Sequence, residues 1–313
     1  MSAKIAAVCR STKKGVRKEN IGKANLVANW GMEGDAHVGK WHRQISLLSK
    51  DSIEKMREMA REKGLALTAG DFAENLTTEG LELFTLPVGT YLQAGEALLE
   101  VTQIGKHCHH SCEIFKQVGR CVMPKEGIFA RVLAGGDVKA GDEIQIWNGI
   151  PIGIITASDK GAKGEREDQS SREIKSLVQG IRGRVIDYRI VPDDKEILSQ
   201  AMIGMIDELG AGMLFTTGGT GLAPRDVTPE ATLSVIERTV PGLSEAMRRE
   251  SMRQTPRAML SRGIVGIRGK CLIVNLPGSP KAVRECLQII LPVLPHAFEI
   301  LRGTGGECGQ SVK

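Results

Sequence analysis

Hydrophobic and polar positions follow two different patterns along the 313-residue chain. From the start to about residue 147, short apolar runs are separated by turn residues: KIAAVC, RQISLLS, EALLEVTQIG and GIFARVLAGGDVKAGDEIQIW. That spacing predicts a mainly β domain. One segment departs from it: KDSIEKMREMAREKG has apolar positions at helical spacing before a terminal glycine, which predicts a helix. At WNGIPIG, residues 147–153, an Asn-Gly pair and a proline punctuate the chain. Beyond it, the strand-like runs IGIITAS, RVIDYRIV, GMLFTTGG and KCLIVNL alternate with the helical runs SREIKSLVQGI, KEILSQAMIGMIDEL, PEATLSVIERT and SPKAVRECLQIILPVLPHAFEIL. Two domains are expected, residues 1–148 and 149–313, the first mainly β and the second α/β with a mostly parallel sheet flanked by helices. Ligands of such sheets bind beyond the carboxyl ends of the strands.

Composition narrows the picture. The hydrophobic fraction is 41% and the charged fraction 25%, the balance of a folded globular protein. No run approaches the roughly 20 apolar residues that cross a bilayer, and MSAKIAAVCRSTKKG lacks the apolar block of a signal peptide, so a cytoplasmic protein without membrane contact is expected. Seven cysteines in such a chain point to reduced thiols used for chemistry or metal, not to a disulfide framework. The net charge is +5, and its Lys and Arg residues are scattered apart from Lys13, Lys14, Arg17 and Lys18. That run is expected to be a solvated face, with an anion-docking patch as the alternative. Two tyrosines and six phenylalanines are too few for a base-stacking platform, so small anions are the expected ligands and nucleic acid is not.

The chemistry of the second half begins at FTTGGTGLAPRDVTPEAT, residues 215–232. A buried strand runs into GGTG, where missing Cβ atoms let main-chain N–H groups approach an anion closely. No Gly-Lys-Ser/Thr follows and the spacing is not GxGxxG, which excludes a P-loop and a dinucleotide fingerprint; a plain tight turn is the other reading. In NLPGSP, residues 275–280, Ser279 and Pro280 read as an N-cap and first helical position, a second anion-binding candidate or an ordinary cap. Asp159, Asp168, Asp193 and Asp226 fall at the same sheet edge. Carboxylates beside a phosphate site imply a divalent cation between them, Mg²⁺, or a role in orienting a nucleophile. For Asp226, a pair with Arg225 or a cap on the helix starting at Pro229 is the simpler alternative.

ITASDKGAKGEREDQSS, VPDD, FTTGGTGLAPRDVTPEAT, PGLSEAMR, TPRAMLSR and NLPGSPKAVREC together resemble the MogA/MoaB family of molybdopterin-binding proteins, as well as the G domain of plant and animal molybdenum-cofactor enzymes. The resemblance spans about residues 150 to 303 with the motifs in the family's order. It implies molybdopterin adenylyltransferase chemistry, in which molybdopterin and Mg-ATP give adenylylated molybdopterin and pyrophosphate. It makes Asp193 and Asp226 the catalytic carboxylates, placing Mg²⁺ and the reacting phosphates. Thr217, Gly218, Gly219, Thr220 and Gly221, with Pro277 and Gly278, would hold nucleotide phosphate or pterin. Ser158, Asp159, Asp168, Ser170 and Ser261 match positions lining the family's pocket. The family's common trimeric state is expected too.

In the first half, GKHCHHSCEIFKQVGRC, residues 105–121, holds three of the seven cysteines and three of the six histidines. Cys108, Cys112, Cys121 and His110 could ligate zinc, although their spacing matches no common pattern, so zinc is not favoured. Lys106, Arg120 or a protonated histidine could instead lower the pKa of a reactive thiol, or the cluster is packing and surface imidazoles. GMEGDAHVGKWHRQISLLS, AGDFAENLTTEGLELFTLPVGTYLQAGEALLEVT and CVMPKEGIFARVLAGGDVKAGDEI resemble the MOSC domain, named for the C-terminal domain of molybdenum cofactor sulfurase. That resemblance implies a β-barrel that binds molybdenum cofactor or carries sulfur on a cysteine. Cys108 is the matching cysteine, with Cys112 and Cys121 as rivals. Glu33, Asp35, His37, Arg43, Glu74 and Asn75 lie in the motif-bearing segments, lining the same cleft or serving as loop residues. Two such domains imply a bifunctional cofactor-biosynthesis protein; the alternative is a non-catalytic carrier, storage or sensing protein.

Overall fold

The computed structural model describes residues 2–61, 66–106, 115 and 121–304. It forms two compact units, Met1–Asn148 and Gly149–Lys313. Cys108, Cys112 and His110 lie outside the described residues.

The first unit is built on β1 (Lys4–Arg10), β2 (Glu19–Asn20), β3 (Lys23–Val27), β4 (Gly31–Met32), β5 (Ile45–Ser49), β6 (Leu76–Glu79), β7 (Tyr91–Ala94), β8 (Ala97–Ile104), β9 (Ile128–Ala134), β10 (Gly136–Lys139) and β11 (Ile144–Ile146). Eight of these strands run in the order β11-β7-β8-β9-β5-β6-β1-β2, and β10-β3-β4 form a small second sheet. The large sheet closes on itself. The Ile144 N–H donates to the Ala3 carbonyl at 3.0 Å and the Ile5 N–H to the Asp142 carbonyl at 2.8 Å, beside a Lys4–Glu143 bridge. Alternate residues of neighbouring strands fill the interior: Ile45 and Leu47, Leu92 and Ala94, Leu99 and Val101, Ile128 and Ala130 share one core. This two-residue period is what a barrel requires of its strands. Leu48 and Phe129, one position out of phase, face outward and pack against Ile53, Met56 and Ala60 of the helix Lys50–Arg61.

The basic run is not uniformly a solvated face. Lys13, Lys14 and Arg17 are exposed, but Lys18 is buried. Its ammonium lies 2.7 Å from Asp35, both side chains 1% exposed, because a buried ammonium is tolerable only with a close carboxylate.

The second unit has β12 (Ile150–Ala157), β13 (Gly183–Val191), β14 (Met213–Thr217), β15 (Arg238–Thr239), β16 (Val265–Arg268) and β17 (Cys271–Leu276), in the order β13-β12-β14-β17-β16-β15. The first four are parallel and the last two turn antiparallel. Every residue of β12, β14 and β17 is buried, as expected for strands covered by helices on both faces. Two details depart from the sequence reading. The long final helical run breaks into Pro280–Ile290, a 3-10 turn Leu291–Val293 and Leu294–Arg302, because Pro292 and Pro295 cannot donate helical hydrogen bonds. The run KEILSQAMIGMIDEL stops as an α-helix at Ile203 and continues as a π turn, Gly204–Glu208.

Candidate functional site

The order β13-β12-β14-β17 places a switch point beside β12, where the chain leaves first to one side and then to the other. A crevice opens at such a point, outside the carboxyl ends of the strands. Four loops meet there. After β12, the Ser158 hydroxyl caps a short helix, Asp159–Ala162, accepting from the Gly161 N–H at 3.0 Å. After β13 comes Asp193, whose N–H donates to Asp159 Oδ1 while the Asp159 N–H donates to Asp193 Oδ2, both at 3.1 Å. After β14, Gly218 and Gly219 adopt φ values of +91° and +61°. A Cβ at Gly218 would sit 2.4 Å from the Ala157 carbonyl oxygen, and one at Gly219 would sit 2.4 Å from Thr228 Oγ1. Backbone conformation and space both demand glycine. After β17, Ser279 caps the helix Pro280–Ile290, accepting from the Ala282 N–H at 3.2 Å.

These loops are tied to one another. Thr217 Oγ1 donates to the Pro277 carbonyl at 2.6 Å, and Ser170 Oγ to the Gly278 carbonyl at 2.8 Å. Together they enclose a polar cavity of about 480 Å³. Ser158, Asp168, Ser170, Asp193 and Thr217 line it, with Arg166 and Arg225 as its cations. A second cavity of about 440 Å³ adjoins it, with Thr220, Gly221, Ser261 and Pro277 in its wall. Gly218, Gly219, Asp226 and Gly278 belong to both walls. The glycine turn is thus a partition between two cavities.

The carboxylates differ in what they have left to offer. Asp168 is committed: it caps the helix Gln169–Leu177 through the Ser171 N–H at 3.0 Å and accepts from the Thr156 hydroxyl and from Tyr188 at 2.6 Å. Burial opposes its charge, but these donors outweigh burial and hold its pKa below the ordinary value. Asp193 is shifted up, first by burial and then by the charges of Asp159 and Asp226, against the Asp159 N–H and Arg225. Asp226 accepts at Oδ2 from the Ala223 N–H at 2.9 Å. Neither simple alternative for Asp226 holds: Arg225 lies 3.8 Å from Asp159 instead, and the helix begins at Thr228 with Val227 in the cap position.

Two residues of this site carried no signal of their own in the sequence. Arg262 donates through Nε to the Gly221 carbonyl at 2.7 Å, through its main-chain N–H to the Thr220 carbonyl at 2.9 Å, and also to the Asp226 carbonyl. It therefore holds the glycine turn and the Asp226 loop together. Asn275, buried on β17, donates to Thr216 Oγ1 and Thr232 Oγ1, each at 2.9 Å. Both lie inside motif segments, but partners more than 35 positions away are invisible to local pattern.

In the first unit the motif carboxylates Asp35 and Glu74 are internal, whereas Glu33 is exposed. Besides Lys18, Asp35 accepts from the Asn75 amide at 3.1 Å and from the His37 N–H at 2.9 Å. Burial works against its charge, but His37 and Lys18 prevail and hold its pKa low. Glu74, fully buried, accepts from the N–H groups of Gly70 at 2.6 Å and Phe72 at 3.2 Å; burial still pushes its pKa up. These residues build the fold around β1 and β6. Burial, with the charge of Glu74 next, pushes the Cys9 thiol up to about 12, far from a reactive thiolate. Cys121 packs half-buried against the cluster of Leu48, Phe72 and Phe129. Among the described residues, no three His, Cys, Asp or Glu side chains converge as a metal site, and no helix is long and apolar enough to cross a membrane.

Comparison with known proteins adds the family. Residues 153–296 match a family described as a probable molybdopterin binding domain, and residues 34–145 match the MOSC domain. A molybdopterin adenylyltransferase of Helicobacter pylori strain J99 is 42% identical over 156 residues, covering 49% of this chain and 89% of that protein. The molybdenum cofactor synthesis protein cinnamon of Drosophila melanogaster is 44% identical over 153 residues, 49% of this chain but only 26% of its own length. A solved structure of the molybdopterin biosynthesis enzyme MoaB from Thermus thermophilus aligns at 47% identity, over 50% of this chain and 99% of its own, with a TM-score of 0.48.

Proposed function

The chain belongs, through residues 153–296, to the molybdopterin-binding domain family and carries a MOSC domain at residues 34–145, and on that premise we propose that its second half adenylylates molybdopterin with ATP, a step of molybdenum cofactor biosynthesis. The observation that carries this reading is the partition: one glycine turn separates a polar from a second cavity, with Asp226 in both walls. Two substrates that must meet at their phosphates fit such a layout. A terminal phosphate oxygen of molybdopterin attacks the α-phosphorus of ATP, the new P–O bond forms, and the bond to the departing pyrophosphate breaks. Such transfers depend on positioning and charge neutralisation more than on covalent help.

The residues divide this work. Main-chain N–H groups at Gly218 and Gly219 and the N-terminus of the 11-residue helix capped by Ser279 suit phosphate oxygens. Arg166 and Arg225 bring positive charge to the polar cavity. Among the described residues, hydrogen bonds occupy only Oδ2 of Asp193 and of Asp226, leaving Oδ1 of each for Mg²⁺. A site of two carboxylates completed by substrate phosphates is the usual protein environment of that ion. Bound there, Mg²⁺ supplies neutralisation of phosphate charge. Ser158 and Asp159 hold Asp193 and the β12 loop in place, and Asp168 and Ser170 anchor the far side. The first unit, in this reading, binds the pterin or the mature cofactor, with Cys108, outside the described residues, as the sulfur carrier or metal ligand. A trimer is the proposed assembly.

Pyrophosphate release from Mg-ATP plus molybdopterin tests the proposal. Release is expected from the unaltered chain and from Cys108→Ser, and is expected to fall steeply in Asp193→Ala and Asp226→Ala. No release with pterin binding intact would make the protein a carrier and move the search for chemistry to Cys108.

A further inference from the structure

The second cavity has walls of Met247, Leu260, Pro277 and Ala282, and its size, about 440 Å³, is that of a small-molecule pocket. Of its charged groups, Arg257 is exposed to solvent. Arg248 is committed to the fold, donating to the Gly263 carbonyl at 2.8 Å and to Ser244 Oγ at 3.3 Å. Asp226 belongs to the partition shared with the polar cavity. Glu285 remains: a wall carboxylate 26% exposed, whose nearest cation is Lys281 at 3.8 Å, itself 85% exposed. So distant and solvated a partner contributes little. A largely buried carboxylate in an apolar wall is a recognition group awaiting donors.

From this we infer that Glu285 is a specificity-determining residue, accepting the adjacent N3–H and 2-amino groups of a 2-amino-4-oxopteridine ring, so that this cavity takes the pterin. The inference rests on the adenylyl-transfer reading for the identity of the two substrates. The chemistry discriminates between their rings. A 2-amino-4-oxopteridine presents two neighbouring donors, which match the two oxygens of a carboxylate. Adenine presents a donor beside an acceptor, so one carboxylate oxygen would face a ring nitrogen lone pair. The triphosphate then belongs to the polar cavity with Arg166 and Arg225, and the phosphates of both substrates meet at Gly218 and Gly219.

The test uses two ring probes that need no turnover: pterin, and lumazine, in which the 2-amino group is replaced by a carbonyl oxygen. Both are titrated against the full chain by their own fluorescence. The unaltered chain is expected to prefer pterin about 10- to 100-fold, the range for hydrogen bonds to a charged group. Glu285→Gln places an acceptor beside a donor, which complements lumazine, so the preference is expected to reverse; Glu285→Ala is expected to abolish it. An unchanged preference in both variants, equal affinity for the two probes in the unaltered chain, or binding of neither would overturn the assignment. Reversal by Glu285→Gln in a chain that releases no pyrophosphate would keep the pterin site and sink adenylyl transfer alone.

Discussion

Asp35 and Asp226 are both motif aspartates, yet they end in opposite situations. Asp35, in the barrel, is enclosed by Lys18, Asn75 and His37 and is buried. Asp226, at the strand ends of the α/β unit, accepts one hydrogen bond and stands in the walls of two cavities. Glu74 follows Asp35 and Asp193 follows Asp226. The contrast teaches that a carboxylate's value to a site is set by the donors its own fold has already supplied. Asp168 shows the rule within one pocket: it lines the polar cavity but is spent on Thr156, Tyr188 and Ser171.

Breaking the internal pair should have the largest effect. Lys18→Met leaves the Asp35 charge buried with its ammonium removed, and about 3–5 kcal/mol of stability is expected to be lost. All three tryptophans, Trp30, Trp41 and Trp147, lie in the first unit, so urea unfolding followed by tryptophan fluorescence reads that unit alone; a loss under about 1 kcal/mol would mean that Asp35 needs no counter-charge. Next comes Asp226→Asn, which keeps an acceptor for the Ala223 N–H while deleting the charge. Its kcat for pyrophosphate release is expected to drop about 10²- to 10³-fold, as when a charge-stabilising group is removed from an active site, with thermal unfolding followed by far-UV circular dichroism unchanged.

Tyr188→Phe sharpens the comparison by loosening a committed carboxylate. Losing the 2.6 Å donor to Asp168 is expected to cost about 1.5 kcal/mol in thermal unfolding, at the low end for a bond to a charged group because Asp168 is partly exposed. The sign of its pH dependence follows from the lowered pKa of Asp168. Its contribution is fully present above the unfolded value of about 3.9 and is lost as pH falls through the lower folded value. In Tyr188→Phe that loss moves to higher pH; identical acid-unfolding curves would contradict it. Ser279→Ala should be mildest, about 1 kcal/mol for a lost helix cap. If Ser279 also presents the helix N-terminus to phosphate, KM for ATP rises several-fold with kcat little changed.

Much of this architecture was legible locally. The apolar runs at β1, β5, β8, β12, β14 and β17 announced themselves, as did the Ser279 cap and the GGTG turn, because strand period, capping and positive φ are properties of neighbouring residues. The antiparallel pair β15 and β16 and the helix Pro241–Ser251 were not anticipated: two- and four-residue strands are too short for a period, and their pairing is decided by β17.

Sequence alone thus determined the two fold classes, the strand ends where a ligand could sit, and the family whose motifs lie there. Tertiary structure alone decided that the barrel closes through Ala3, Ile5, Asp142 and Ile144, that Lys18 turns inward, that Arg262 clamps the glycine turn, and that Glu285 faces an apolar cavity. The physical reason is range. Conformation is dictated by adjacent residues, whereas the availability of a charge depends on donors brought from tens of positions away by the packed fold.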